Sequence, residues 1–172
     1  GLDPGIDHLS AMKVIDNIHT KGGQITSFKS FTGGLVAPQY DTNPWNYKFT
    51  WNPKNVVLAG TGVAQYIKRG EYKYIPYHKL FEFVEPVNIL GEQFEGYPNR
   101  DSLGYRNVYG LEEIPSILRG TLRRPGFCAA WNTFVQLGMT DDTYVLENSE
   151  NMTYREFINT FLGFRRNRTV EE

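Results

Sequence analysis

A helix-to-strand junction near the start of the chain restricts its fold more than any other feature. Residues 7–21 carry Leu9, Met12, Ile15 and Ile18 at the i, i+3 spacing of one helical face, and Gly22-Gly23 stops the pattern. Asp7 stands where a helix cap is expected. Residues 24–31 then alternate, with Ile25, Ser27, Lys29 and Phe31 set against Thr26, Phe28 and Ser30, which predicts a strand. A helix joined to a strand by a tight glycine turn is an α/β unit, because the two apolar faces must share one core. The expected class is therefore α/β (α+β): a mixed β-sheet covered by helices, with a partial helical subdomain toward the C-terminus.

The rest of the chain extends this pattern. Residues 47–51 and 71–77 read as strands, and 81–84 as a strand that Pro86 confines to an edge. Asn52-Pro53 reads as a helix start, with Asn as N-cap, and the helix is expected to run to 68 through Gly60 and Gly62. Residues 91–101 read as a polar loop. A short helix carrying Tyr105, Val108 and Tyr109 follows, and 116–123 is the last strand. Helices are expected over 127–137 and 153–164, the second opened by Thr153 and Glu156 at capping-box spacing. Arg165, Arg166 and Arg168 read as a solvated tail.

Composition excludes several functions. A formal charge of −1 gives no electrostatic footprint for nucleic acid or an anionic membrane. No apolar run is long enough to span a bilayer. The single cysteine, Cys128, precludes an internal disulfide and fits a reducing, cytoplasmic setting. The sequence holds no G-x-G-x-x-G, no P-loop, no C-x-x-C and no G-x-S-x-G elbow. His8, His19 and His78 show no metal-ligand pairing, so no metal is expected. The 11 Tyr, 11 Phe and 3 Trp supply core and, where a polar handle is exposed, pocket walls.

Four segments carry possible chemistry. In 3–8, Asp-Pro-Gly-Ile-Asp-His, a turn feeds a helix; its amides suit an anion and Asp3 an amine, or both residues simply shape the turn. Thr32-Gly33-Gly34 allows a backbone to approach a ligand closely, or makes a plain turn. Arg100 lies in the hydrogen-bonding run 97–102, free to grip a carboxylate or to pair locally with Asp101. On a strand, Arg119, Thr121 and Arg123 share a face, which makes either a site for a di- or tricarboxylate or an exposed basic surface.

These segments, in this order, resemble the saccharopine dehydrogenase family. The resemblance runs through Gly1-Leu2-Asp3-Pro4-Gly5-Ile6-Asp7-His8, Gly33-Gly34-Leu35, Ala37-Pro38, Asn43-Pro44, Tyr47-Lys48-Phe49, Trp51, Gly96-Tyr97-Pro98-Asn99-Arg100-Asp101-Ser102 and Leu118-Arg119-Gly120-Thr121-Leu122-Arg123. It implies a larger, NADP-dependent oxidoreductase acting on a CH-NH group, which interconverts saccharopine with L-glutamate and 2-aminoadipate 6-semialdehyde in lysine metabolism. Residues 1–101 and 115–124 would form its mixed α/β substrate-binding and dimerisation domain. Residues 102–114 and 125–172 would belong to a mainly helical inserted subdomain. Gly1-Leu2-Asp3-Pro4-Gly5 reads as a loop already in progress, with a Rossmann-type domain expected before it.

By this resemblance Asp3, Arg100, Thr121, Leu122 and Arg123 contact the substrate, and Leu2, Asp3, Pro4 and Asn52 lie near the cofactor. Asp3 is the one candidate for a catalytic role. Asn52 stands where relatives often have serine, and Thr32 where many have cysteine. The expected partners are an amino-acid substrate and the enzyme's own nucleotide-binding domain, with a homodimer possible. Two alternatives remain at this point: an imine-reducing enzyme of the polyamine branch, acting on carboxynorspermidine, and a non-catalytic dimerisation module. Lacking a phosphate-binding loop, the isolated chain is expected to turn over nothing and to bind NADP(H) weakly. Micromolar affinity in a nicotinamide-fluorescence titration would overturn that expectation.

Overall fold

The 14-residue helix α1, Asp7–Thr20, forms where its spacing predicts. Its buried stripe, however, runs through Asp7, Ala11, Met12, Ile15 and Ile18, and Leu9 is 74% exposed. Asp7 does not cap the helix; its side chain turns inward. Gly22, at φ 73°, ends α1 with the Gly23 amide bonded to the Ile18 carbonyl at 2.9 Å. The computed structural model describes residues 1–44, 46–58 and 62–163.

Six strands form one mixed sheet: β1 (Phe28–Thr32), β2 (Ala64–Lys68), β3 (Glu71–Ile75), β4 (Glu85–Ile89), β5 (Glu92–Pro98) and β6 (Ile117–Arg123). Strand β6 is the hub. It pairs parallel with β1 from Phe28↔Ile117 to Thr32↔Thr121, antiparallel with β5 from Pro98↔Gly120 to Glu95↔Arg123, and with β2 at Ile67↔Ile117. The other α-helices are α2 (Pro53–Val57), α3 (Tyr105–Tyr109), α4 (Phe127–Gln136) and α5 (Tyr154–Phe161), joined by short 3-10 turns. Among the described residues no helix is long and apolar enough to cross a membrane.

Several local expectations were displaced. The strand expected over 24–31 begins only at Phe28. The helix expected over 53–68 stops at Val57, with the Asn52 side chain capping it as predicted; residues 59–61, Gly60 among them, lie outside the described residues. Ala64–Lys68 is strand β2 instead. It is closed onto β3 by Arg69 and Gly70, at φ 53° and 81°, the two positive values that a two-residue hairpin turn needs. Leu90 and Gly91, at 53° and 87°, do the same for β4 and β5, so the polar run expected to be a loop is a strand. No strand forms over residues 81–84: 81 and 82 close the 3-10 turn Tyr77–Glu82, and 83 and 84 are irregular. Residues 47–51 form no strand: the Asn43 side chain holds the Tyr47 carbonyl at 2.8 Å, and Tyr47 packs on Phe127 rather than joining a ladder. Helix α5 has both halves of its capping box; Phe164 and the tail Arg165, Arg166 and Arg168 lie outside the described residues.

Two buried clusters flank the sheet. Ile15, Ile67, Tyr109, Leu111, Ile114 and Ile117 lie beneath α1 and α3, so residues 102–114 contribute to this core. Ala64, Tyr66, Ile75, Leu80, Tyr97 and Cys128 join the sheet to α4. At the centre, the Phe31 ring occupies the space over Gly120, where an added Cβ would collide with it and meet the Tyr97 carbonyl oxygen at 2.9 Å. We expect Gly120→Ala to cost about 1–3 kcal/mol by overpacking. Chemical denaturation measures this, and adding Phe31→Leu should recover part of the loss.

Candidate functional site

One cleft of about 1000 Å³ opens between the turn before α1, the end of β1, the segment around Tyr47, and the ends of β5 and β6. Pairing of β6 with β1 and β5 brings segments far apart in sequence to its wall. Asp3, Thr32, Arg100, Arg119, Thr121 and Arg123 all line it. A second cavity of about 510 Å³ lies beside Lys29 and Glu85, whose charges already pair at 2.8 Å.

The strand alternation of β6 puts Arg119, Thr121 and Arg123 on the cleft side, as the i, i+2 spacing requires. The two arginines differ sharply. Arg119 Nη2 donates to Asp3 Oδ1 at 3.0 Å and to Asp7 Oδ2 at 2.8 Å, and its guanidinium carbon lies 3.8 Å from the Tyr105 ring centroid. Burial works against its charge, but Asp3 above all holds its pKa above the ordinary value. Arg123 is also buried, yet it has no carboxylate partner among the described residues. Its Nη1 reaches the Leu122 carbonyl at 3.3 Å and its Nε has no partner. Phe127, Tyr47 and Tyr97 surround its guanidinium at 5.0, 5.6 and 6.0 Å.

Burial raises the phenol pKa values of Tyr47 and Tyr97 despite the opposing Arg123 charge, Tyr97 to about 12. Both therefore remain neutral near Arg123. Arg100 is exposed at the rim, and its guanidinium has no partner among the described residues. Asp101 does not pair with it; the Asp101 carboxylate instead accepts the Leu103 and Gly104 amides at 2.8 and 3.0 Å. The cleft thus combines unneutralised arginines with Asp3, a geometry suited to an elongated zwitterion with carboxylates at one side and an amine at the other.

Other sequence candidates take different places. Leu2 and Pro4 line the cleft beside Asp3. Leu122 has its side chain buried away from the cleft and offers only its carbonyl to Arg123. Asn52 caps α2 and does not line the cleft, although its neighbour Trp51 does. The amides of the 3–8 turn are spent internally: Gly5 donates to Asp7 Oδ1 at 2.9 Å and Ile6 to the Gly1 carbonyl at 3.1 Å. Gly33 and Gly34 admit other parts of the chain, since added Cβ atoms would meet the Leu122 carbonyl oxygen at 2.7 Å and Thr50 Oγ1 at 2.9 Å.

Sequence reasoning took Asp7 only as a cap or turn residue and missed Tyr47; the local signals were the 3–8 turn for the first and the aromatic flank of Tyr47-Lys48-Phe49 for the second. Asp3, Asp7 and His8 also bring possible metal-ligand atoms within 4.8 Å of one another. Arg119 already pairs with both carboxylates, and His8 Nδ1 is engaged with the Tyr109 hydroxyl at 2.7 Å, so a cation bound between the carboxylates would have to displace a guanidinium.

Asp7 anchors this network with a side chain only 1% exposed. Burial would raise its pKa, but hydrogen bonds from the Gly5 and His8 amides and from Arg119 outweigh it and hold the carboxyl below the ordinary 3.8. A depressed carboxyl stabilises the fold above its unfolded pKa, and that contribution disappears as the pH falls through the folded value. Asp7→Asn should cost about 1.5–3 kcal/mol at neutral pH, because it removes one charge-assisted hydrogen bond to Arg119 and leaves Asp3 as its remaining carboxylate. It should also flatten the acid-side loss of stability below pH 3.8, as read by denaturant melts across pH.

The chain is similar to known proteins over most of its length. The family model described as saccharopine dehydrogenase C-terminal domain matches residues 1–166. The chain is 40% identical over 164 residues to the NADP(+), L-glutamate-forming saccharopine dehydrogenase of Saccharomyces cerevisiae, covering 95% of this chain and 37% of that protein. It is 37% identical over 177 residues to the mitochondrial alpha-aminoadipic semialdehyde synthase of Rattus norvegicus, covering all of this chain and 19% of that one. A solved structure of the apo, histidine-tagged, L-Glu-forming saccharopine dehydrogenase from Saccharomyces cerevisiae superposes with a TM-score of 0.74 at 42% identity, covering 83% of this chain and 32% of that one. The chain therefore spans little more than a third, or less, of the length of these relatives, and by its sequence, its α/β fold and its family-model match it belongs to the saccharopine dehydrogenase C-terminal domain family.

Proposed function

We propose that this chain is the substrate-binding part of an NADP-dependent, L-glutamate-forming saccharopine dehydrogenase, and that its cleft holds saccharopine. The observation that carries this reading is the buried Arg123, which has an unpartnered Nε and no counter-ion among the described residues. A buried guanidinium is costly unless paired, so a ligand carboxylate is the partner it lacks. Saccharopine has three carboxylates and a secondary amine. Arg123 takes one carboxylate inside its aromatic sleeve, Arg100 takes another at the rim, and Asp3 faces the amine. The names of the yeast and rat relatives favour this substrate over the carboxynorspermidine branch.

The cofactor is held mainly by a nucleotide-binding domain in the rest of the enzyme. Leu2, Asp3 and Pro4 form one wall of the cleft, a chain edge open enough to face it. When bound, NADP exchanges a hydride with the carbon attached to the substrate amine. The chain's own residues do the rest. The arginines fix the carboxylates, Tyr47 and Phe127 keep water from Arg123, and Asp3 accepts a hydrogen bond from the amine.

In the full-length enzyme, Arg123→Lys keeps the charge but loses the planar fork. It should raise the KM for saccharopine about tenfold to hundredfold, the equivalent of roughly 1.5–3 kcal/mol, and leave the KM for NADP nearly unchanged. Arg100→Lys, at an exposed position, should act in the same direction but less. Unchanged saccharopine kinetics in both variants would reject the assignment.

A further inference from the structure

We infer that Arg119 is a positioning residue for Asp3, acting through it and not through the substrate, with Asp7 as its fixed point. This rests on the cleft being a saccharopine site. Arg119 lines the cleft, yet its charge is directed to its own chain. A single nitrogen, Nη2, bridges Asp3 Oδ1 and Asp7 Oδ2 at 3.0 and 2.8 Å.

The two carboxylates it joins are unequal. The Asp7 side chain is 1% exposed and the Asp3 side chain 28%, so Asp7 is locked in the core while Asp3 reaches the cleft. Arg119 itself is packed in place. Tyr105 stacks beneath its guanidinium, its side chain is 8% exposed, and its backbone amide donates to the fully buried Ser102 hydroxyl at 2.8 Å. Thr32 Oγ1 donates to the other Asp3 oxygen, Oδ2, at 3.2 Å. Asp3 is thereby held at both oxygens, and the rigid one of these two tethers is Arg119. Asp3 lies in an irregular turn with non-helical dihedrals, where the backbone alone does not determine the direction of the carboxylate. A carboxylate that must meet an amine beside the reacting carbon needs such a restraint, because a misplacement of about 1 Å can cost about 100-fold in rate.

The test uses the full-length enzyme with saccharopine and NADP, and the variants Asp3→Asn, Arg119→Met, Arg119→Lys and Arg119→Met/Asp3→Asn, each melted to check folding. Arg119→Met should lower kcat/KM for saccharopine about tenfold to hundredfold and leave the KM for NADP unchanged. In the Asp3→Asn background the same change should cost less than about twofold, since positioning an absent carboxylate has no value. Arg119→Lys should melt near the unaltered enzyme yet recover only part of the rate. Should Arg119→Met fail to fold, Arg119→Lys and Tyr105→Leu take its place in the cycle. Additive losses, or a folded Arg119→Lys enzyme with full activity, overturn the inference. So does an indifferent Asp3→Asn in an enzyme that does oxidise saccharopine, which leaves the substrate reading intact; an unaltered enzyme that ignores saccharopine removes both.

Discussion

The bridge from Arg119 to Asp3 and Asp7 ties the start of the chain to the centre of the sheet, 116 and 112 residues away. It crosses the interface between α1 and β6, with Tyr105 of α3 stacked against it. A charge this deep is tolerated because two carboxylates answer it and the ring beneath accepts its face. The turn before α1, α1 itself and α3 are thereby held in one arrangement around the strand that also builds the cleft. The site is thus continuous with the core.

Strand β6 carries three duties in seven residues. Arg119, Thr121 and Arg123 make the polar wall while Ile117 on the same face joins the core, Leu118 and Leu122 face the opposite side, and the backbone pairs with β1, β2 and β5. Gly120 meets a different demand: the Phe31 ring crosses it, so no side chain fits. Arg119 and Arg123 leave the same face four residues apart and reach opposite electrostatic situations. One is answered by the protein. The other is wrapped in aromatic rings and has no carboxylate partner among the described residues, and on that contrast the proposed carboxylate site rests.

The missed elements share one cause. Residues 64–68 and 92–98 carry weak or misleading periodicity, and Arg69-Gly70 and Leu90-Gly91 look like helix or loop endings in isolation. Each pair in fact turns a hairpin, with both residues at positive φ. Residues 47–51 show the converse: aromatic alternation is present, but the segment joins no ladder, and the Tyr47 ring packs on Phe127 and over Arg123 instead. Periodicity reports which side chains seek burial, while pairing depends on partners that local sequence does not contain.

What the sequence determined by itself was local or ordered along the chain. The spacing of apolar residues and Gly22-Gly23 set α1 and its end, the Thr153–Glu156 capping box set the start of α5, and the i, i+2 placement of Arg119, Thr121 and Arg123 set one face of β6. The ordered motifs also pointed to the family. Only the tertiary structure decided which arginine is free. Asp3 and Asp7 come from the first turn of the chain, Tyr47 and Phe127 from segments 80 residues apart, and their meeting at β6 pairs Arg119 while enclosing Arg123 with no counter-charge among the described residues. Charge pairing depends on distance in space, and that distance exists only once the sheet has closed.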